Sequence, residues 1–252
     1  MTMSKKNQYS YIGVALIILV FGIIFIPKII DRIKNNDITR SESRSKTLET
    51  KIEETGNLSD LVFHEVYGKK KKVPAFSFTN QEGQTITNED YLGKVYVVEF
   101  FFTTCPTICP RMSRNLVDVQ NKFKDFESFG IASFTINPDF DTPEVLKSYA
   151  DNYGVTNPNW HFMTGDETKI YDLANNGFTI YAGKNNEAEG GFEHSGNFAL
   201  IDKNGYIRSR LDAYGNPMIY YKGIVSLEEQ EEDGEQEEIS VLIEDIQKLL
   251  RE

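Results

Sequence analysis

Cysteine is almost absent from this chain, with two residues in 252, Cys105 and Cys109. Histidine is nearly as scarce, at positions 64, 161 and 194 only. Positive charge is also short. The net charge of −11 excludes the basic face that a nucleic-acid-binding protein needs. There are no internal repeats. No small-residue cleavage pair follows the one long apolar run near the N-terminus, which argues against a cleaved signal peptide. No cysteine lies there to carry a lipid.

Because cysteine is so rare, two of them landing at one turn is hard to ascribe to packing as small hydrophobes. The surrounding stretch, 96–112, reads YVVEFFFTTCPTICPRM. Residues 95–102 are rich in valine and phenylalanine around one acid, Glu99. That composition predicts a strand buried on both faces in the middle of a sheet. Thr103 and Thr104 end it. Proline is tolerated at the first helical position and damaging further in, so the next helix should start near Pro110. Cys109 then sits at or near the N-cap, where the helix dipole favours the thiolate, and Cys105 sits on the loop before it. Two sulfurs in that arrangement can bridge, or hold one small ion.

The remaining organisation follows from patterning. Residues 1–8 form a short leading segment. Residues 9–27 are apolar and uncharged, just long enough to cross a hydrocarbon core of roughly 30 Å, and are expected to form an uncleaved anchor within 9–30. Arg32, Lys34, Arg40 and Arg44 after the run outnumber Lys5 and Lys6 before it. Charge alone would therefore retain the domain in the cytoplasm, whereas a cysteine pair that cycles through a disulfide favours an exported domain. Residues 31–60 read as a polar linker and 61–252 as one domain. Within it, 61–67 is expected as a first strand and 69–72 as a solvated lysine-rich turn. Residues 75–79 and 85–87 should form a hairpin. An apolar stripe at Met112, Leu116, Val119, Phe123 and Phe126 marks a helix. Further strands are expected at 131–136, 160–163 and 178–181, with helices at 141–152 and 167–175. Residues 182–191 read as a loop, and 197–202 with 206–211 as a hairpin across Asn204-Gly205. The acidic run at 226–238 reads as a solvated insertion before a last amphipathic helix at 241–250.

A cysteine turn between a central strand and the next helix, with a terminal hairpin, is a thioredoxin-like α/β layout. The spacing here is C-x-x-x-C, however, one residue longer than C-x-x-C, which leaves room for an ion between the sulfurs. A nitrogen ligand would make such a site trigonal. His64 lies in the first expected strand and reads as structural. His161 follows Trp160 in an apolar strand and reads as packing or hydrogen bonding. His194 sits where the glycine-bearing loop 189–191 meets the final hairpin. From the residues alone it stands open between a metal ligand and an ordinary loop histidine.

The chain resembles the Sco (SenC) copper proteins, membrane-anchored thioredoxin-like domains that help assemble the binuclear copper centre of cytochrome c oxidase. The resemblance runs over about 73–211, plus the expected anchor, and is carried by several stretches. Cys105-Pro106-Thr107-Ile108-Cys109-Pro110 looks like the family's C-P-x-x-C-P. Asn137 to Pro143 looks like its D-P-x-x-D-T-P, Trp160 to Gly165 like its W-x-x-L-T-G, and Glu193-His194-Ser195 like its D-H-S/T. Thr107, Asn137 and Glu193 stand where aspartate is common. The resemblance implies that Cys105, Cys109 and His194 bind a copper ion, as Cu(I) or Cu(II). It implies a metallochaperone on the outer side of the cell membrane, held by one N-terminal helix. Its partners would be the copper-bearing oxidase subunit and a thioredoxin-type thiol reductant. A thiol–disulfide oxidoreductase using the Cys105–Cys109 pair, and a copper or redox sensor, are the competing readings.

Overall fold

The computed structural model describes residues 61–252 apart from 213, 230, 233 and 234, together with 15, 16, 18–21, 23 and 25–27. The chain divides into two compact units, Met1–Asn57 and Leu58–Glu252. The described residues of the first unit are helical. Among the described residues no helix is long and apolar enough to cross a membrane. Of the expected anchor, 9–14, 17, 22, 24 and 28–30 lie outside them, as does the linker at 31–60.

The second unit opens with β1 (Leu61–Phe63) and a small ribbon, β2 (Glu65–Val66) against β3 (Lys69–Lys70). The lysine run is therefore not a plain turn. The reversal falls one step earlier, at Tyr67-Gly68, where both residues have positive φ. Lys70 pairs opposite Glu65, and its ammonium lies 3.6 Å from the centroid of the Phe63 ring. The expected hairpin follows as β4 (Ser77–Asn80) and β5 (Thr85–Thr87).

The central strand is β6 (Val95–Phe101), and all seven of its residues are buried. It pairs in parallel with β7 (Phe129–Thr135), from Val95 opposite Phe129 to Phe101 opposite Thr135. Next to β7, also parallel, lies β8 (Trp160–Thr164). Successive side chains of β6 point to opposite faces. Phe101 meets Tyr149 on one side and Phe100 meets Phe178 on the other. That two-sided burial is what the unbroken apolar run requires.

Helix α1 (Cys109–Lys122) follows the cysteine turn, with Met112, Leu116 and Val119 buried. The apolar stripe stops short of its expected end. The helix closes at Lys122, Phe123 caps it out of helical geometry, and Phe126 is 48 % exposed. Phe126 lies in the turn that feeds β7 and meets the edge of Phe123. Helix α2 (Pro143–Tyr153) is capped by the Thr142 hydroxyl, which accepts from Val145 N, and ends at left-handed Gly154.

Helix α3 (Glu167–Asp172) continues into a wider π turn over Leu173–Phe178, so the expected strand at 178–181 does not form. Two features replace it. Phe178 is buried against Phe100, and Thr179 turns the chain with φ of 61°. The Asn175 side chain then bonds both the N–H and the C=O of Ala182, as a neighbouring strand would. The strand appears instead at β9 (Ala182–Lys184), inside the expected loop, paired with β10 (Phe192–His194).

The final hairpin joins β11 (Asn197–Ile201) to β12 (Ile207–Arg210), and β11 lies antiparallel against β6. The sheet order is β1-β12-β11-β6-β7-β8-β4-β5, and β13 (Tyr221–Lys222) pairs with the start of β11. Part of the acidic run forms a ribbon, β14 (Glu231–Glu232) with β15 (Glu235–Gln236). Helix α4 (Ile239–Arg251) buries Leu242, Ile246 and Leu249 as expected. On the same face Asp245 is buried and answered by Arg210 at 2.6 Å and the Tyr221 hydroxyl at 2.8 Å.

Candidate metal centre

The cysteine turn is held at its root by Asp141. This buried carboxylate accepts from the Thr103 N–H at 3.1 Å and from the hydroxyls of Thr103 and Thr135. It therefore ties the end of β6 to the end of β7 just before the chain enters α2. The sequence marks Asp141 only as the residue ahead of a helix cap. Its anchoring role needs two threonines from different strands, which no local pattern reveals.

Beyond that root, Cys105, Cys109 and His194 converge. Their donor atoms all lie within 4.8 Å of one another, and all three residues are buried. His194 Nε2 is 3.1 Å from Cys109 Sγ. Its Nδ1 faces the Ser195 carbonyl, an acceptor, at 3.2 Å, so Nδ1–H donates there and Nε2 is turned to the sulfur side. The other two histidines are elsewhere. His161 Nδ1 pairs with the Asn80 amide at 3.3 Å, and the His64 backbone bonds Ile207.

His194 needs no closing motion to reach the sulfurs. It ends β10, and the β9–β10 ribbon lies directly on the cysteine turn. Gly190, at φ of 83°, approaches so closely that a Cβ there would come within 2.9 Å of the Phe102 ring and 3.3 Å of Pro106. Ser195 N donates to Tyr181 O at 3.2 Å on the other side of the ribbon.

The two sulfurs differ electrostatically, and not in the direction that position alone suggests. Cys105 is drawn down to about 3. The chief cause is a hydrogen bond from Cys109, helped by His194 and by backbone N–H groups of Cys109 and Thr107, against the opposing cost of burial. Cys109 is pushed up, first by burial, then by the hydrogen bond it gives to Cys105 and by the Cys105 charge beside it. The helix N-terminus does favour a thiolate, but its N–H groups serve the loop sulfur, while the side chain of Cys109 turns inward. A cleft of about 280 Å³, walled by Phe102, Ile108, Ala188 and Phe192, opens onto Cys105 and His194 and leaves Cys109 behind them.

This arrangement of two sulfurs and one imidazole suits a soft metal ion, with sulfur selecting Cu(I) and imidazole admitting Cu(II). The SCO1/SenC family model matches residues 64–228, which contain all three donors. The chain belongs to the SCO1/SenC family. The SCO1 homolog of Bacillus subtilis strain 168 is 35 % identical over 138 residues, covering 54 % of this chain and 71 % of that one. The solved SCO1/SenC family lipoprotein of Bacillus anthracis is 28 % identical, with a TM-score of 0.59 over 71 % of this chain and 95 % of that one. BsSco, a Sco-family cytochrome c oxidase assembly protein with a disulfide switch, is also 28 % identical. Its TM-score is 0.58, over 77 % of this chain and 97 % of that one.

Three positions depart from the SCO1/SenC pattern noted above. Thr107 places its hydroxyl 3.7 Å from Cys105 Sγ. Glu193 accepts from Asn185 at 3.0 Å on the rim of the cleft. Asn137 uses its backbone N–H to bond Thr135. None of the three displaces a donor.

Glu99 is a further buried group of this SCO1/SenC site that spacing did not single out. Its Oε1 accepts from Ser133 at 2.6 Å, and Ser133 in turn accepts from the Trp160 indole. Among the described residues its Oε2 has no hydrogen-bond partner, and burial pushes the carboxyl up to about 7. It stands on the Phe101 face of β6, and its charge is felt by both Cys109 and Tyr149.

Proposed function

We propose that this chain is a copper-binding metallochaperone, with Cys105, Cys109 and His194 as the ligands. The observation that carries the reading is the convergence of these three buried donors within 4.8 Å. Cys105 enters as a thiolate already formed. Cys109 gives up its proton when the ion arrives, and His194 offers Nε2 while Nδ1 stays on the Ser195 carbonyl. Cys105 fronts the cleft, so an acceptor thiolate can reach the ion from that side and take it by ligand exchange. The acceptor would be the copper-bearing subunit of cytochrome c oxidase, in keeping with the assembly role of BsSco.

A second reading is favoured by the polarised cysteine pair and by the disulfide switch of BsSco. Here Cys105 thiolate attacks a partner disulfide. Cys109 then displaces the partner as a dithiol and leaves Cys105–Cys109 oxidised, and a thioredoxin-type dithiol returns the two electrons and two protons. In either reading the domain works outside the cytoplasm, on the anchor at 9–30.

Titration of the reduced protein with Cu(I) and Cu(II) tests the first reading. Cys105→Ser or Cys109→Ser should abolish binding. His194→Ala should weaken Cu(II) most and leave the pair able to oxidise. Binding of both copper states by His194→Ala as tightly as by the parent would remove the histidine from the site. If that variant also kept full disulfide exchange, the second reading would take its place. Protease added to spheroplasts should digest the domain, and its full protection would reverse the orientation.

A further inference from the structure

We infer that the strap of residues 221–225, locked to the cysteine helix by Asn115, sets the distance between His194 and the two sulfurs. The ligand cysteines and the ligand histidine belong to different parts of the chain, and among the described residues no backbone-to-backbone hydrogen bond joins the cysteine turn to His194 directly. The strap touches both. Asn115, buried on α1 almost two turns after Cys109, donates both amide hydrogens to it, to Gly223 O at 2.8 Å and Val225 O at 3.1 Å. Gly223 N donates in turn to Gly196 O at 2.7 Å, two residues after His194.

Between these bonds sits Ile224. Its side chain fills the space where Gly196 would carry a Cβ, which would come within 2.4 Å of Ile224 Cδ1. The same point is 3.7 Å from Ile108 Cδ1, the residue before Cys109. Ile224 is thus a wedge beside both the histidine segment and the cysteine turn. The strap cannot drift outward, because Gly223 is pressed onto Phe198 and the Tyr221 hydroxyl is held by Asp245. Gly190 against Phe102 fixes the ribbon at one end, and Ile224 against Gly196 fixes it at the other. Ile224 and Asn115 are positioning residues, which touch no ligand atom and act through the placement of His194.

The copper arm of the test rests on the reading proposed above, and a metal-free arm does not. In the full-length reduced protein without metal, the ¹⁵N resonances of the His194 ring report its contact with Cys109. Ile224→Ala should shift them, and Ile224→Val should restore most of the shift. With Cu(II) as the probe, Ile224→Ala should lose 10–100-fold in affinity, the range for groups that orient a ligand. The sulfur-to-copper absorption should change with it. Cys105–Cys109 disulfide formation should keep its rate, and Ile224→Ala added to His194→Ala should cost nothing more. Unchanged histidine resonances, or a copper loss that adds fully to that of His194→Ala, would overturn the inference. If Ile224→Ala does not fold, Asn115→Ser makes the same comparison. Should the parent protein bind no copper, the copper reading falls and the histidine resonances still decide the role of the strap.

Discussion

His194 Nε2 lies 3.1 Å from Cys109 Sγ, although 85 positions separate the two residues. The contact is made by a ribbon that stands apart from the main sheet, pressed onto the cysteine turn through a glycine with no room for a side chain. In the copper reading proposed above, a buried imidazole on a buried thiol, beside a second sulfur held ionised, is a donor set arranged before any ion arrives. Preorganisation of that kind removes the ordering cost that a loose loop histidine would pay on binding.

The asymmetry of the sulfurs can be read in metal-free protein. With its thiol at about 3, Cys105 is a thiolate throughout the range from pH 5 to pH 8. Iodoacetamide should therefore modify Cys105 at a rate almost independent of pH in that range, with Cys109 lagging far behind. Mass mapping of the alkylated peptides gives the answer. A rate that climbs steeply up to pH 8, or modification of Cys109 first, would contradict it.

Glu99 gives the fold a pH dependence with a definite sign. Its carboxyl sits near 7 in the folded protein, against 4.5 unperturbed. Between those values the folded state holds a proton that the unfolded state has lost. Its contribution is complete below about pH 4.5, falls as pH rises through 7, and is level above, a total of roughly 3 kcal/mol. His64 and His161, whose burial lowers their values, act in the opposite direction nearby. The difference between parent and Glu99→Gln isolates the term. The urea midpoint of the parent should decline relative to the variant from pH 5 to pH 8, and parallel profiles would refute it.

Phe101 tests the central strand. It is fully buried, with Tyr149 and Phe162 rings 5.4 and 5.5 Å away between centroids. Phe101→Ala should cost about 3–5 kcal/mol in denaturant unfolding. A loss below about 1 kcal/mol would be incompatible with a strand covered on both faces.

Gly190→Ala should separate the ribbon from the cysteine turn. The residue must hold φ of 83° and its new methyl meets Phe102. The substitution should cost about 1 kcal/mol or more and weaken Cu(II) binding more than Cu(I) binding, because the sulfurs stay where they are. Gly191→Ala carries a similar φ but open space around it, and serves as the control. Equal copper binding by both variants would show that the close approach does not matter.

Much of this fold is legible where local and global demands agree. Residues 95–101 form the buried strand because nothing but a two-sided core accommodates that run. Thr142 and Pro143 start their helix, and Leu242, Ile246 and Leu249 face inward. The failures lie where one tertiary contact outweighs local pattern. Phe126 keeps the helical spacing yet falls after the cap, since the chain must turn there to enter β7. The strand expected at 178–181 gives way to a π turn, in which Phe178 is buried on Phe100 and the Asn175 side chain bonds Ala182 in place of a neighbouring strand.

At the site the division is sharper. The residues alone determine that the two cysteines share one turn between a buried strand and a helix, because both are specified within a few positions of each other. Which sulfur is ionised was decided by tertiary structure. The N–H groups of the turn converge on Cys105, and burial holds Cys109 protonated, against the expectation from helix position. That His194, and not His64 or His161, meets the sulfurs was likewise decided spatially. It depends on the close contacts of Gly190 and Gly196 and on a strap anchored to the cysteine helix, and distances between segments so far apart are set only when the whole core has packed.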